Sequence, residues 1–143
     1  MSKSNTFEND LLKLIFNGTP IANLADNAAT APLTNLYVAL HTADPGEDGN
    51  QSTNEVAYTG YARVAVARTP SGWVVACNSV SPAANIEFGE MTGGTPGTAT
   101  HASIGTAATG TGKILYKGAL TPTIAYNLGV VPRIKTTSTI TED

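Results

Sequence analysis

The sequence predicts an all-β chain with one helix at its N-terminus, and three observations lead there. Short stretches of period-two alternation recur after residue 35, turn signals separate them at intervals of about 8 to 12 residues, and no helical pattern lies between them. Parallel strands need crossover segments, so their absence makes the arrangement an antiparallel sandwich or barrel of about eight strands. Composition agrees. Fourteen Gly and eight Pro supply turns, Thr is abundant and suits the pleated sheet, and only 13% of the 143 residues are charged.

The helix is expected over Asn5 to Asn17. Asn5 or Thr6 can cap it, Glu8 and Asp10 suit the positive end of its dipole, and Asn17-Gly18 followed by Pro20 stops it. Phe7, Leu11, Leu14 and Ile15 share one face, and Leu12 and Phe16 widen the apolar arc to about 200°, broader than the stripe of about 100° that one contact face needs. Part of that arc is available to a neighbouring subunit, or the helix covers the open end of its own sheet. Residues 18–34 read as an irregular connection anchored by Ile21, Leu24 and Leu33.

Leu36, Val38 and Leu40 alternate with Tyr37, Ala39 and His41, which makes 35–42 the first strand. Ala43 to Asn50 is the strongest break in the chain and forms an exposed loop. Glu55 to Tyr58 pairs briefly. Tyr61 to Thr69 reads as a strand with Val64 and Val66 inward and Arg63 outward, and Pro70-Ser71-Gly72 turns it into Trp73 to Asn78 as a hairpin. Further strands are expected at Asn85 to Phe88, Thr98 to Thr106, Lys113 to Leu120, Ile124 to Tyr126 and Val131 to Ile140, with Thr121-Pro122 separating the fourth of these from the third. No repeat or low-complexity linker divides the chain, so 1–143 is expected to be one domain.

Charge and cysteine content exclude several classes of function. Eight basic against eleven acidic residues give a net charge of −3, too weak a field to steer the chain onto a phosphate backbone, so nucleic acid is not an expected partner. No apolar run approaches the roughly 20 residues that span a bilayer, and the polar start lacks the apolar core of a signal peptide, so no membrane partner is expected and the product is expected to be cytosolic when made. The single cysteine, Cys77, rules out an internal disulfide and reads as a small buried hydrophobe beside Trp73 and Val75.

Catalytic and metal-binding patterns are near misses. His41 and His101 occupy outward positions of strands, and with one Cys they cannot assemble a usual zinc site. Asp44, Glu47, Asp48 and Asn50 gather oxygen ligands, but their spacing is not that of an EF-hand loop. The run from Gly105 to Lys113 is no P-loop, because Thr111 stands where the lysine must follow the second glycine, and it reads as a turn. No Gly-x-Ser-x-Gly elbow exists. Tyr37, Tyr58 and Tyr61 read as a core cluster with rim hydroxyls, and Glu87 and Glu90 as a solvated strand edge. No enzyme, cofactor or metal site is expected.

The stretches Asn35 to Gly46 and Asn54 to Val66 resemble a group of small tailed-phage virion proteins labelled tail fibre or head-decoration proteins. The similarity continues through Thr100 to Thr106, Lys113 to Leu120, Pro132 and Thr139 to Asp143, over nearly the full length. With no long repetitive shaft and no separate receptor-binding head in the chain, the resemblance implies a jelly-roll-like capsid cement protein on the outer surface of the shell. Its implied partners are the major capsid protein and itself, as a dimer rather than a trimer. Contact would run through the helix residues Phe7, Leu11, Leu12, Leu14, Ile15 and Phe16 and the loop residues Asp44, Glu47, Asp48 and Asn50. A tail-tip or fibre-associated module that binds receptors is the other reading, and it would require exposed aromatic and loop clusters at one end of the sandwich.

Overall fold

The computed structural model of the chain describes residues 4–21 and 32–142. It is all-β with antiparallel sheets and one N-terminal helix, as expected, and the described residues form nine strands. Two compact units divide the chain: residues 1–35, 66–86 and 134–143 make the first, and 36–65 with 87–133 the second.

In the first unit, helix α1 spans Asn5–Asn17. Its cap is Ser4 instead of Asn5 or Thr6; the Ser4 hydroxyl accepts from the Phe7 N–H at 3.4 Å. Gly18 ends the helix in the left-handed region at φ 64°, a conformation that costs glycine least. The last turn of α1 carries no basic residue. Arg68 supplies the charge from outside, donating from Nε to the Ile15 carbonyl at 2.7 Å, from Nη2 to Leu14 at 2.8 Å and from Nη1 to Leu33 at 2.7 Å. Leu12 and Phe16 are fully buried, and the Phe16 ring meets Trp73 edge-on at 4.9 Å.

Strands β3 (Trp73–Ala76) and β4 (Ser79–Pro82) form a hairpin, and β9 (Ile140–Thr141) pairs on the far side of β4. The expected hairpin between 61–69 and 73–78 is therefore replaced. Pro70-Ser71-Gly72 does turn the chain, with the Gly72 N–H donating to the Thr69 carbonyl at 2.9 Å, but the pairing follows the next turn, at Cys77 and Asn78. Cys77 is exposed and holds φ 55° at that tip, so it is not the buried hydrophobe its neighbours suggested.

The second unit is built on β1 (Asn35–His41), β6 (Gly97–Gly105) and β7 (Ile114–Tyr126), in a four-stranded sheet ordered β2-β1-β6-β7 with β2 at Val64–Ala67. β1 runs antiparallel to β6 from Tyr37 opposite Gly105 to His41 opposite His101. β7 is one strand where two were expected. Its register against β6 shifts between Ala99 and His101, so Pro122 falls in the irregular stretch, where a missing N–H breaks no ladder bond. The expected strand 131–140 is two short ones, β8 (Arg133–Ile134) and β9; β8 pairs with β5 (Ile86–Glu87). Residues 22–31 of the expected connection lie outside the described residues.

Candidate functional site

In the second unit three connections, around residues 50–55, 59–63 and 105–113, are welded by two buried polar side chains. Gln51 is fully buried. Its backbone N–H donates to the Thr111 carbonyl at 2.8 Å, its Nε2 to the Tyr37 carbonyl at 3.2 Å, and its Oε1 accepts from the Ala107 N–H at 2.9 Å. The loop can wrap it this closely because residues 105 and 112 are glycines: a Cβ at either would collide with the Gln51 side chain.

Arg63 makes the second weld. Its side chain is 3% exposed, the reverse of the outward placement that alternation implies. Nε and Nη2 grip the two Glu55 carboxylate oxygens at 2.7 and 2.8 Å, a bidentate fork. Nη1 donates to the Ala107 carbonyl at 2.9 Å, and Nη2 also to the Gly110 carbonyl at 2.6 Å and the Ser52 hydroxyl at 3.2 Å. Glu55 beside it raises the Arg63 pKa, keeping the guanidinium charged. Tyr61 completes the network, donating to Glu55 Oε1 at 3.2 Å and accepting from the Leu40 N–H at 3.0 Å; burial pushes its phenol well above the usual range.

These segments line an open depression of ≈ 560 Å³ between residues 55–63 and 108–110. Ala57, Thr59, Ala62, Ala108 and Thr109 are exposed at its surface, and Tyr58 and Tyr61 lie beneath. Tyr58 is 6% exposed, packs against Tyr61 at 5.5 Å and Tyr126 at 5.2 Å, and donates its hydroxyl to the Gly89 carbonyl at 2.6 Å. Tyr61 stacks on Phe88 at 6.0 Å. Tyr58 and Tyr61 thus serve the core, joined by Phe88 and Tyr126, but their hydroxyls are bonded within the fold, to Gly89 and to Glu55 and Leu40, where rim positions were expected.

His41 is fully buried, not outward, because both faces of β1 are covered towards its C-terminal end. Its Nδ1 lies 2.8 Å from the Thr53 carbonyl, which only accepts, so Nδ1 carries the proton and Nε2 accepts from the Ser103 hydroxyl at 2.7 Å. Desolvation lowers the His41 pKa and favours the neutral ring. A serine bonded to an imidazole has the form of a nucleophile and its base, yet Ser103 is only 1% exposed and the pair, on β1 and β6, is buried.

Of the residues expected at an interface, the helix set divides. Leu12 and Phe16 are core; Phe7 is 37% exposed; Leu11, Leu14 and Ile15 are half-buried. Asp44, Glu47 and Asp48 are exposed and Asn50 half-buried. Asp44 and Glu47 both bind the Lys117 ammonium, at 3.0 and 2.9 Å, and Asp44 Oδ1 also accepts from the Gly46 N–H at 2.9 Å. That N–H and then Lys117 hold the Asp44 carboxyl below its ordinary pKa. Asn50 Oδ1 accepts from the Ser52 N–H at 2.9 Å, which ties the end of the loop to the Arg63 network. Glu87 pairs with Arg133 across the β5–β8 ribbon.

Sequence reasoning missed Gln51, Glu55 and Arg63. Their only local trace is the glycine spacing of 105–112, which looked like a failed phosphate loop and is a cradle for a side chain.

Over residues 2–141 the chain matches the family described as Podophage GP4 fiber I protein gp80. No curated protein matches it.

Proposed function

Since the chain belongs to the Podophage GP4 fiber I protein gp80 family and is a structural protein of a phage virion, we propose that it is a fibre-associated binding module of the tail. The family's description favours this over the head-decoration reading drawn from the sequence. The missing shaft repeat does not count against it: a chain without repeats is not the shaft itself, but a fibre also needs globular modules that dock and recognise.

The observation that carries the reading is the Arg63 weld. One guanidinium fixes the carbonyls of Ala107 and Gly110 and the Glu55 carboxylate. The loops around the depression are thereby held in one shape before any partner arrives, which lowers the ordering cost of binding. The exposed lining is alanine and threonine, so the surface recognises by shape and hydrogen bonds, and no reaction is assigned to it. In this reading the half-covered face of α1, with Phe7 at its rim, meets a neighbouring virion subunit.

Copy number tests the proposal. The chain is quantified by mass spectrometry against the major capsid protein in purified virions, and free protein is added to an adsorption assay. The reading expects a small stoichiometry set by tail symmetry, with adsorption slowed by free protein. A copy number matching that of the capsid subunits would return the chain to the head.

A further inference from the structure

Strand β7 forms one edge of the four-stranded sheet, and bonds made two strands away fix which of its backbone groups point outward. At Leu40 of β1 the N–H donates to the Tyr61 hydroxyl at 3.0 Å and the carbonyl accepts from the Val56 N–H at 2.9 Å, so neither is turned to β6. Ala102, opposite Leu40, therefore directs its own N–H and C=O to β7, where Gly118 is its partner. Alternation then turns the N–H and C=O of Lys117 and Ala119 out to the edge. Among the described residues these groups meet no partner.

An open edge of this kind is a template for another strand, and proteins commonly guard one with a lysine, a proline or a bulge. Here the guards stand elsewhere. Pro122 and the register shift lie beyond Ala119, and Lys117 is drawn onto the Asp44 and Glu47 carboxylates at 3.0 and 2.9 Å, which leaves its side chain 21% exposed. Gly118 and Ala119 are exposed, and a Cβ placed on Gly118 would meet nothing within 4 Å.

We propose that two copies of this chain pair antiparallel along this edge, with a two-fold axis at Gly118. An antiparallel strand edge is its own complement: rotation about that axis brings Lys117 of each copy opposite Ala119 of the other, and every outward N–H meets an outward carbonyl. Side chains select the register. Centring on Lys117 would set two ammonium groups directly opposite each other, and centring on Ala119 would need Thr121, inside the irregular stretch. At Gly118 the two strands come closest, because the facing pair exchanges no hydrogen bond, and glycine leaves that approach clear. The contact joins two four-stranded sheets into one. It is smaller than a standard interface, so the dimer forms at about 10–100 μM. The pairing goes beyond the fibre assignment and holds wherever the chain sits on the virion.

Sedimentation velocity of the full chain, under reducing conditions and up to about 1 mM, tests it. Wild type runs as a monomer–dimer equilibrium. Ala119→Pro removes an outward N–H and sets a ring in the partner's path while breaking no bond to β6, so the dimer weakens about 30-fold or more with an unchanged circular dichroism melt. Cross-linking by oxidised glutathione in a Cys77→Ser background is independent of that variant's folding. Gly118→Cys links into a dimer because the facing residues lie about 4.5 Å apart, whereas Ala119→Cys, diagonal to its own copy at about 7–8 Å, links about 10-fold more slowly. If Ala119→Pro melts early, the cross-linking rates decide. A wild type monomeric throughout, an Ala119→Pro chain that folds and dimerises normally, cross-linking no faster at 118 than at 119, or growth beyond the dimer would each overturn the pairing.

Discussion

Replacing Arg63 with alanine removes the fork on Glu55 and the donors to Ala107, Gly110 and Ser52 in one step. The Glu55 carboxylate, 18% exposed, is then left facing two carbonyls that have lost their donor. Breaking a buried ion pair from one side costs about 3–5 kcal/mol, and the residual exposure of Glu55 places the loss near the lower end, about 3 kcal/mol. For a chain of this size each kcal/mol lowers the melting temperature by about 3–4 °C, so Arg63→Ala melts about 10 °C below wild type. Chemical denaturation gives the free energy, and amide exchange shows where it is lost: protection falls at residues 50–55 and 105–112 before it falls in β1 and β6. Arg63→Lys keeps the charge but not the planar fork, and recovers less than half of the loss. An Arg63→Ala chain within 1 kcal/mol of wild type, with loop protection intact, would refute the weld.

Three further perturbations probe other parts of the molecule. His41 is held neutral in the fold with its pKa below the ordinary value, so the unfolded chain takes up the proton first; its stabilising share is complete above about pH 6.5 and is lost as pH falls below that. Imidazole NMR resonances should therefore show His41 titrating at lower pH than a free histidine, and a normal midpoint contradicts the buried neutral ring. Arg68→Ala leaves the carbonyls of Leu14 and Ile15 without their charged donor and should cost about 2 kcal/mol, seen as early loss of the 222 nm helical signal; an unchanged melt removes Arg68 from the account of α1. Leu12→Ala should cost about 3 kcal/mol and Phe7→Ala under about 1 kcal/mol, because only Leu12 is fully buried; equal costs would mean that α1 does not pack by this face.

Local chemistry made some elements legible and left others hidden. The span of α1 could be read because Asn17-Gly18 stops it within the chain's own neighbourhood, and β1 because its alternation is unbroken. The site was not legible, because its bonds join residues far apart in sequence: Arg63 reaches 44 and 47 residues on to Ala107 and Gly110. Period-two reasoning sends an arginine outward and has no means of knowing that a loop will cover it. His41 was misplaced for the same reason, since alternation assumes one wet face and β1 has both faces covered at that end. Cys77 shows another limit: its neighbours suggest burial, and only the pairing of β3 with β4 reveals that it forms the tip.

The position of the chain on the particle decides the central claim most directly. Intact virions labelled with a gold-tagged antibody fragment against the loop that exposes Asp44, Glu47 and Asp48 should carry gold at the tail and its fibres, with bare heads. Gold distributed over the capsid surface would contradict the fibre assignment and restore the decoration reading.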